Sequence, residues 1–234
     1  MRTRRTLPHL SAILVAVIFA SAVGVSAATL NGVAAASLGS WNVAGTTSAP
    51  TVLVWSNFLA PNNTNLNGAT LNGGSTWIAQ FGIWRVSSSH AGSSNAAFSN
   101  LTTSVGTVNA AVEATTIDLG GNPTAGLVAM SNGTSFIFSQ YEKTSGGRIR
   151  LFKYVSGTVT QLAEATGTGI PAIAPMRLDA TTNTMKVSWN GAVVLTYTLT
   201  AAEVALFKSA GHTRFGLMAN GDPSTNFDTF HVDI

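Results

Sequence analysis

The chain has 234 residues, of which only 9% are charged and 45% hydrophobic, and it has no cysteine. Disulfide frameworks, thiol catalysis and cysteine-ligated zinc are thereby excluded, and the apolar content is too high for a disordered chain. Arg2, Arg4 and Arg5 carry the whole net charge of +3, because the other nine Lys and Arg equal the nine Asp and Glu, so nucleic acid is not an expected partner.

Met1 to Leu7 is basic and Leu10 to Val25 is apolar and uncharged, while Val25-Ser26-Ala27 offers small side chains to a signal peptidase. Residues 1–27 therefore read as a signal peptide cleaved after Ala27, with the general secretory route preferred over a twin-arginine one. If retained, the leader approaches the ~20 residues of a membrane anchor, which is the one membrane contact expected. The predicted location is secreted or extracellular, cell-surface attached if the leader stays. Residues 28–50 are small and polar with Trp41 as their large anchor, and read as an N-terminal extension or an edge strand.

Residues 51–234 read as one domain of strands broken by Gly, Asn and Ser. Asn62 to Ser75 holds five Asn and three Gly, which predicts an exposed loop. Trp77 to Val86 reads as one strand of large residues. Val108, Ala110, Val112 and Ala114 share one face, with Thr107, Asn109, Glu113 and Thr115 on the other. Strands are expected at Leu127 to Met130, Phe136 to Tyr141 and Ile149 to Val155, with hairpin turns at Ser131-Asn132-Gly133 and Ser145-Gly146-Gly147. Gln161 to Glu164, Met176 to Ala180, Met185 to Trp189 and Val193 to Leu199 continue the series, and Asn190-Gly191 is a strong two-residue turn signal. Ala201 to Ser209 alone has helix-forming composition, and is placed as a crossover at one edge.

The pattern is that of an all-β, antiparallel two-sheet β-sandwich. Ala-Gly-Leu-Val-Ala at 125–129, Phe-Ile-Phe at 136–138, Ile-Arg-Leu-Phe-Lys-Tyr-Val-Ser-Gly at 149–157, Met-Lys-Val-Ser-Trp-Asn-Gly at 185–191, Phe-Gly-Leu at 215–217 and Asn-Phe-Asp-Thr-Phe-His-Val at 226–232 follow in order. Together they resemble a concanavalin A-like (laminin G-like) jelly-roll domain, over about residues 51–234. The resemblance implies a concave sheet in a superfamily of sugar-binding modules, adhesion domains and glycoside hydrolases, among which fold alone does not choose.

Retaining glycoside hydrolysis needs two carboxylates ~5 Å apart, and the Glu-x-Asp-x-x-Glu arrangement that would supply them in this superfamily is missing. Glu113 and Asp118, five apart, fall on opposite faces of a continuous strand, and Glu142 could meet Glu164 only across strands. Gly-x-Ser-x-Gly is also missing. His231 and Asp233 share a face and read as a solvent-facing pair, and His90 falls in a loop. No catalytic residue is assigned, and the enzyme reading is disfavoured. Asp222 and Asp228 could serve calcium, but two carboxylates fall short of a cage and read better as a turn cap and a strand-end pin. No metal or cofactor is expected.

Saccharide binding needs an aromatic face with planar polar groups at its rim, on a rigid sheet. With Ile149, Leu151 and Val155 turned to the core, Arg148, Arg150, Phe152 and Tyr154 point outward together, and Gln140 and Glu142 line up beside them. Gln140, Glu142, Arg148, Arg150 and Tyr154 are the candidate ligand-binding residues, against the plainer reading of a solvated sheet with Glu–Arg pairing. Trp84 and Trp189 are expected in the core. The leading functional expectation is a non-catalytic domain binding an extracellular glycan. The alternatives are a self-associating structural or adhesive protein with a surface-protein partner, and a divergent glycoside hydrolase.

Overall fold

The computed structural model describes residues 49–94, 98–117, 124–142, 147–166, 173–220 and 225–234. The expected signal peptide, nearly all of the 28–50 segment, Asp118, Asp222 and Ser145-Gly146 lie outside the described residues.

In chain order the strands are β1 (Val52–Ser56), β2 (Ile78–Phe81), β3 (Trp84–Ser87), β4 (His90–Ser93), β5 (Ser99–Ser104), β6 (Ala111–Ile117) and β7 (Thr124–Ser131). They continue as β8 (Ser135–Glu142), β9 (Arg148–Val155), β10 (Thr158–Thr166), β11 (Pro175–Asp179), β12 (Thr184–Trp189) and β13 (Ala192–Thr198). Helix α1 (Ala201–Phe207) precedes β14 (Arg214–Asn220) and β15 (Asn226–Asp233).

Sheet I has eight strands, ordered β13-β12-β11-β6-β15-β4-β3, with β1 also paired to β15. Sheet II has seven, ordered β10-β9-β8-β7-β14-β5-β2. The ladders are antiparallel throughout. Apolar residues at every second position turn inward and meet between the sheets: Leu101, Leu127, Ile137, Leu151 and Leu217 from sheet II face Val112, Met176, Val187, Phe230 and Val232 from sheet I. Tyr141 stacks on Trp189 at 4.3 Å across this interior. Trp84 and Trp189 are buried as expected. Asn190 and Gly191 both take positive φ, at 50° and 78°, and close the β12–β13 hairpin as a two-residue turn.

Three expectations are corrected. Trp77 to Val86 is not one strand: β2 lies in sheet II and β3 in sheet I, and the chain changes sheets at Gly82, whose φ of +77° interrupts the extended run. The Asn62–Ser75 loop is not simply exposed, because Leu66 and Leu71 are buried. Its polar residues secure the backbone, as where Asn67 Oδ1 accepts from the Ala79 N–H and Asn65 Oδ1 from the Asn67 N–H, which lets the leucines enter the core. His90 opens β4 after a tight turn through Ser88 and Ser89, so it is not in a long loop, and β6 begins at Ala111 with Val108 ahead of it.

Helix α1 is the expected crossover. It joins β13, the edge of sheet I, to β14 inside sheet II.

Candidate functional site

Alternation along β9 buries Ile149 and Leu151 and turns Arg148, Arg150, Phe152 and Tyr154 to the outer face of sheet II. Cross-strand partners extend this face row by row. Arg148 lies opposite Glu142, Arg150 opposite Gln140 and also Glu164 of β10, Phe152 opposite Phe138, and Tyr154 opposite Phe136. All five candidate residues therefore share one face, but they form two separate groups, since Arg148 and Tyr154 are about 20 Å apart along the strand.

At the first end, Arg148 Nε and Nη2 donate to Glu142 Oε2 at 3.1 and 2.6 Å, and Arg150 Nη2 donates to the same oxygen. Two guanidinium groups thus hold one carboxylate, with the Arg150 guanidinium 5.2 Å from the Phe152 ring centre. Gln140 is buried beside them. Arg150 stands between Gln140 and Glu164 in register, so Glu142 and Glu164 sit two strands apart and do not form a carboxylate pair. Glu142 and Glu164 are therefore not placed as the close carboxylate pair that retaining glycoside hydrolysis uses.

At the second end the face is aromatic. Phe136 and Tyr154 stack at 4.7 Å, Phe98 lies parallel to Tyr154 at 6.3 Å, and Phe81 meets Tyr154 edge-on at 6.0 Å. Val128, Phe136, Phe138, Phe152 and Met218 are buried beneath, forming a second apolar cluster outside the main core. Beside it opens a cleft of about 530 Å³ lined by Gln80, Phe81, Gly133, Thr134, Tyr154, Ser156 and Gly157. Tyr154 remains half-buried and gives this cleft an aromatic wall on a strand paired on both sides.

The polar wall comes from β2 and the β7–β8 turn. The Ser131 hydroxyl donates to Gln80 Oε1 at 3.2 Å and accepts from the Gly133 N–H at 3.1 Å. Gly133 has φ +103°, and a β-carbon there would come within 2.8 Å of Gln80 Nε2 and 3.4 Å of Arg214 Nη1. Only glycine allows the amide and the guanidinium to approach the turn this closely. Sequence reasoning missed Gln80, Phe81, Phe98 and Arg214. Gln80 and Phe81 were visible only as members of an unbroken strand, and the break at Gly82 is what delivers them to sheet II.

The His231–Asp233 pair is corrected. Both occupy the outer face of sheet I, but Asp233 is buried, accepting from Arg177 Nη1 and Nη2 at 2.9 and 2.6 Å, with His231 Nε2 at 3.5 Å. Among the described residues no group of three or more His, Cys, Asp or Glu could hold a metal ion.

No protein-family model and no curated relative matches the sequence. Solved structures do. Carbohydrate-binding module CBM66 from Bacillus subtilis superposes with a TM-score of 0.54 at 12% identity, over 68% of this chain and 95% of that one. The SCLam endo-β-1,3(4)-glucanase of family GH16 gives 0.52 at 12% identity over 80% and 95%. LamA from Z. galactanivorans gives 0.50 at 9% identity over 79% and 99%. The class is therefore defined at the level of architecture: the domain has the concanavalin A-like jelly-roll fold.

Proposed function

We propose that the protein is exported and binds an extracellular saccharide without cleaving it. The observation that carries this reading is the Tyr154 cleft, in which a half-buried aromatic ring on a rigid strand faces an amide and a glycine-walled turn. Sugar C–H groups pack on such a ring, and the surrounding amides and hydroxyls meet sugar hydroxyls in directed hydrogen bonds. Two of the structural neighbours, a carbohydrate-binding module and a glucanase, agree with this ligand class. Against hydrolysis stand Glu142, held by two arginines, and Glu164, separated from it by β9.

A glycan array probed with the wild type and with Tyr154→Ala tests the reading. Wild type binds at least one neutral or acidic oligosaccharide, and Tyr154→Ala weakens that binding at least tenfold. Arg150→Ala, about 13 Å further along β9, has a smaller effect. Undiminished binding by Tyr154→Ala overturns the site, and reducing sugar released from a polysaccharide overturns the non-catalytic part. Export is checked by the mass of the released protein, which begins at Ala28 if the leader is removed as expected.

A further inference from the structure

Arg148, Arg150 and Arg177 are half-buried, and a carboxylate holds each of them. Arg85 is exposed to solvent. Arg214 differs from all four: it is half-buried on β14, inside sheet II, and no ion pair or hydrogen bond engages its side chain among the described residues. Its guanidinium nitrogens stay accessible to solvent, so an unpaired cation is left free to take an incoming acceptor.

Its position gives the reason. The point a β-carbon of Gly133 would occupy is 3.4 Å from Arg214 Nη1 and 2.8 Å from Gln80 Nε2. Gln80 has its oxygen engaged by the Ser131 hydroxyl, which leaves the amide nitrogen, a donor, on the Gly133 side. Two donor groups therefore lie close to Gly133, at the edge of a cleft that Gln80 lines and Arg214 borders through that glycine, and whose lining contains no Asp or Glu. A neutral sugar hydroxyl could use one donor. An oxyanion uses both and also supplies the charge that Arg214 lacks.

We infer that the ligand of the Tyr154 cleft is an acidic saccharide whose carboxylate or sulfate group is bound by Arg214 and Gln80. This rests on the saccharide-binding reading and makes it more specific: Tyr154 supplies the ring platform, and Arg214 selects for the negative group. Carboxylate and sulfate present the same chemistry to a guanidinium, namely paired oxygens that accept two parallel N–H donors.

The test uses the full chain and three probes with a common sugar backbone: a neutral oligosaccharide, a uronic-acid oligosaccharide and a sulfated oligosaccharide. Titration calorimetry of the wild type gives at least tenfold tighter binding of one or both acidic probes than of the neutral one, and the acidic probe that binds identifies the group. The preference declines as salt rises, whereas neutral binding does not. Arg214→Gln abolishes the preference, and Tyr154→Ala weakens binding of the neutral and the acidic probes alike. The Nε–Hε signal of Arg214, followed by NMR in the wild type, shifts with the acidic probe, so the inference remains testable even if the variant folds poorly.

Equal affinity for neutral and acidic probes overturns the inference, as does an acidic preference that survives Arg214→Gln or an Arg214 signal that the acidic probe leaves unmoved. In the first of these cases, neutral binding that depends on Tyr154 leaves the saccharide reading standing. Acidic binding that needs Arg214 but not Tyr154 has the opposite consequence, removing the aromatic platform and keeping the anion contact.

Discussion

Asp233 shows what a single residue contributes when its partner is distant in sequence. Its carboxylate is buried and receives both terminal nitrogens of Arg177 from the middle of sheet I, while Glu113 lies 3.7 Å from the same guanidinium. Asp233→Ala leaves Arg177 half-buried with only the looser Glu113 contact, and should destabilise the domain by about 3 kcal/mol. Chemical denaturation of the single variant checks this. The double variant Arg177→Met/Asp233→Leu, which replaces the pair with apolar groups, should recover most of the loss. Sequence spacing correctly puts His231 and Asp233 on one face, but it gives no sign that Asp233 is enclosed. The residue that encloses it lies 56 positions earlier, and only the β11–β6–β15 pairing brings the two together.

At the scale of an element, α1 is short and persists because its N-terminus is capped and its first turn is anchored. Thr200 Oγ1 accepts from the Glu203 N–H, and Glu203 Oε2 accepts from the Thr200 N–H at 2.9 Å, a reciprocal capping box. Burial pushes the Glu203 carboxyl up, but hydrogen bonds from Lys153, the Thr200 backbone, Tyr197 and the Thr200 hydroxyl outweigh it and lower the pKa from 4.5 to about 2. The unfolded chain therefore takes up this proton first. The stabilisation is complete above about pH 4.5 and is lost as pH falls toward 2, amounting to about 3 kcal/mol. Burial lowers the His212 pKa from its ordinary 6.5, so a separate decline begins as pH drops below that value. Denaturation midpoints measured from pH 7 to 2 should show both declines, and Glu203→Gln should remove the lower one while keeping the upper. The helix itself was legible, because helix-forming composition over Ala201 to Ser209 is a local signal. The split of Trp77–Val86 was not, because one glycine in an apolar run is compatible with a bulge, a bend or a change of sheet. Which of these occurs depends on the partners waiting in each sheet.

For the whole molecule, one end of sheet II carries buried apolar side chains on both of its faces. Val128, Phe136, Phe138, Phe152 and Met218 are buried on the outer face, with Phe81, Phe98 and Tyr154 packed over them. Sequence alternation makes the outward direction of Phe152 and Tyr154 legible, but not their enclosure, because Phe81 and Phe98 arrive from β2 and from just before β5. Sheet II is thus supported from both sides where it carries the proposed site: Ile137 points to the main core, and its neighbour Phe138 to the outer cluster. If the outer cluster is a second core, Phe138→Ala should destabilise the domain by about 3–5 kcal/mol, as much as a substitution at a central inward position. A solvated outer face predicts a loss under about 0.5 kcal/mol instead. Thermal denaturation of Phe138→Ala beside Ile137→Ala separates the two. The comparison also bears on binding, since Tyr154 stacks on Phe136, and Phe136 packs against Phe138 at 5.8 Å. Loosening Phe138 removes support from the platform ring, so the same variant should weaken saccharide binding at Tyr154 although Phe138 does not line the cleft.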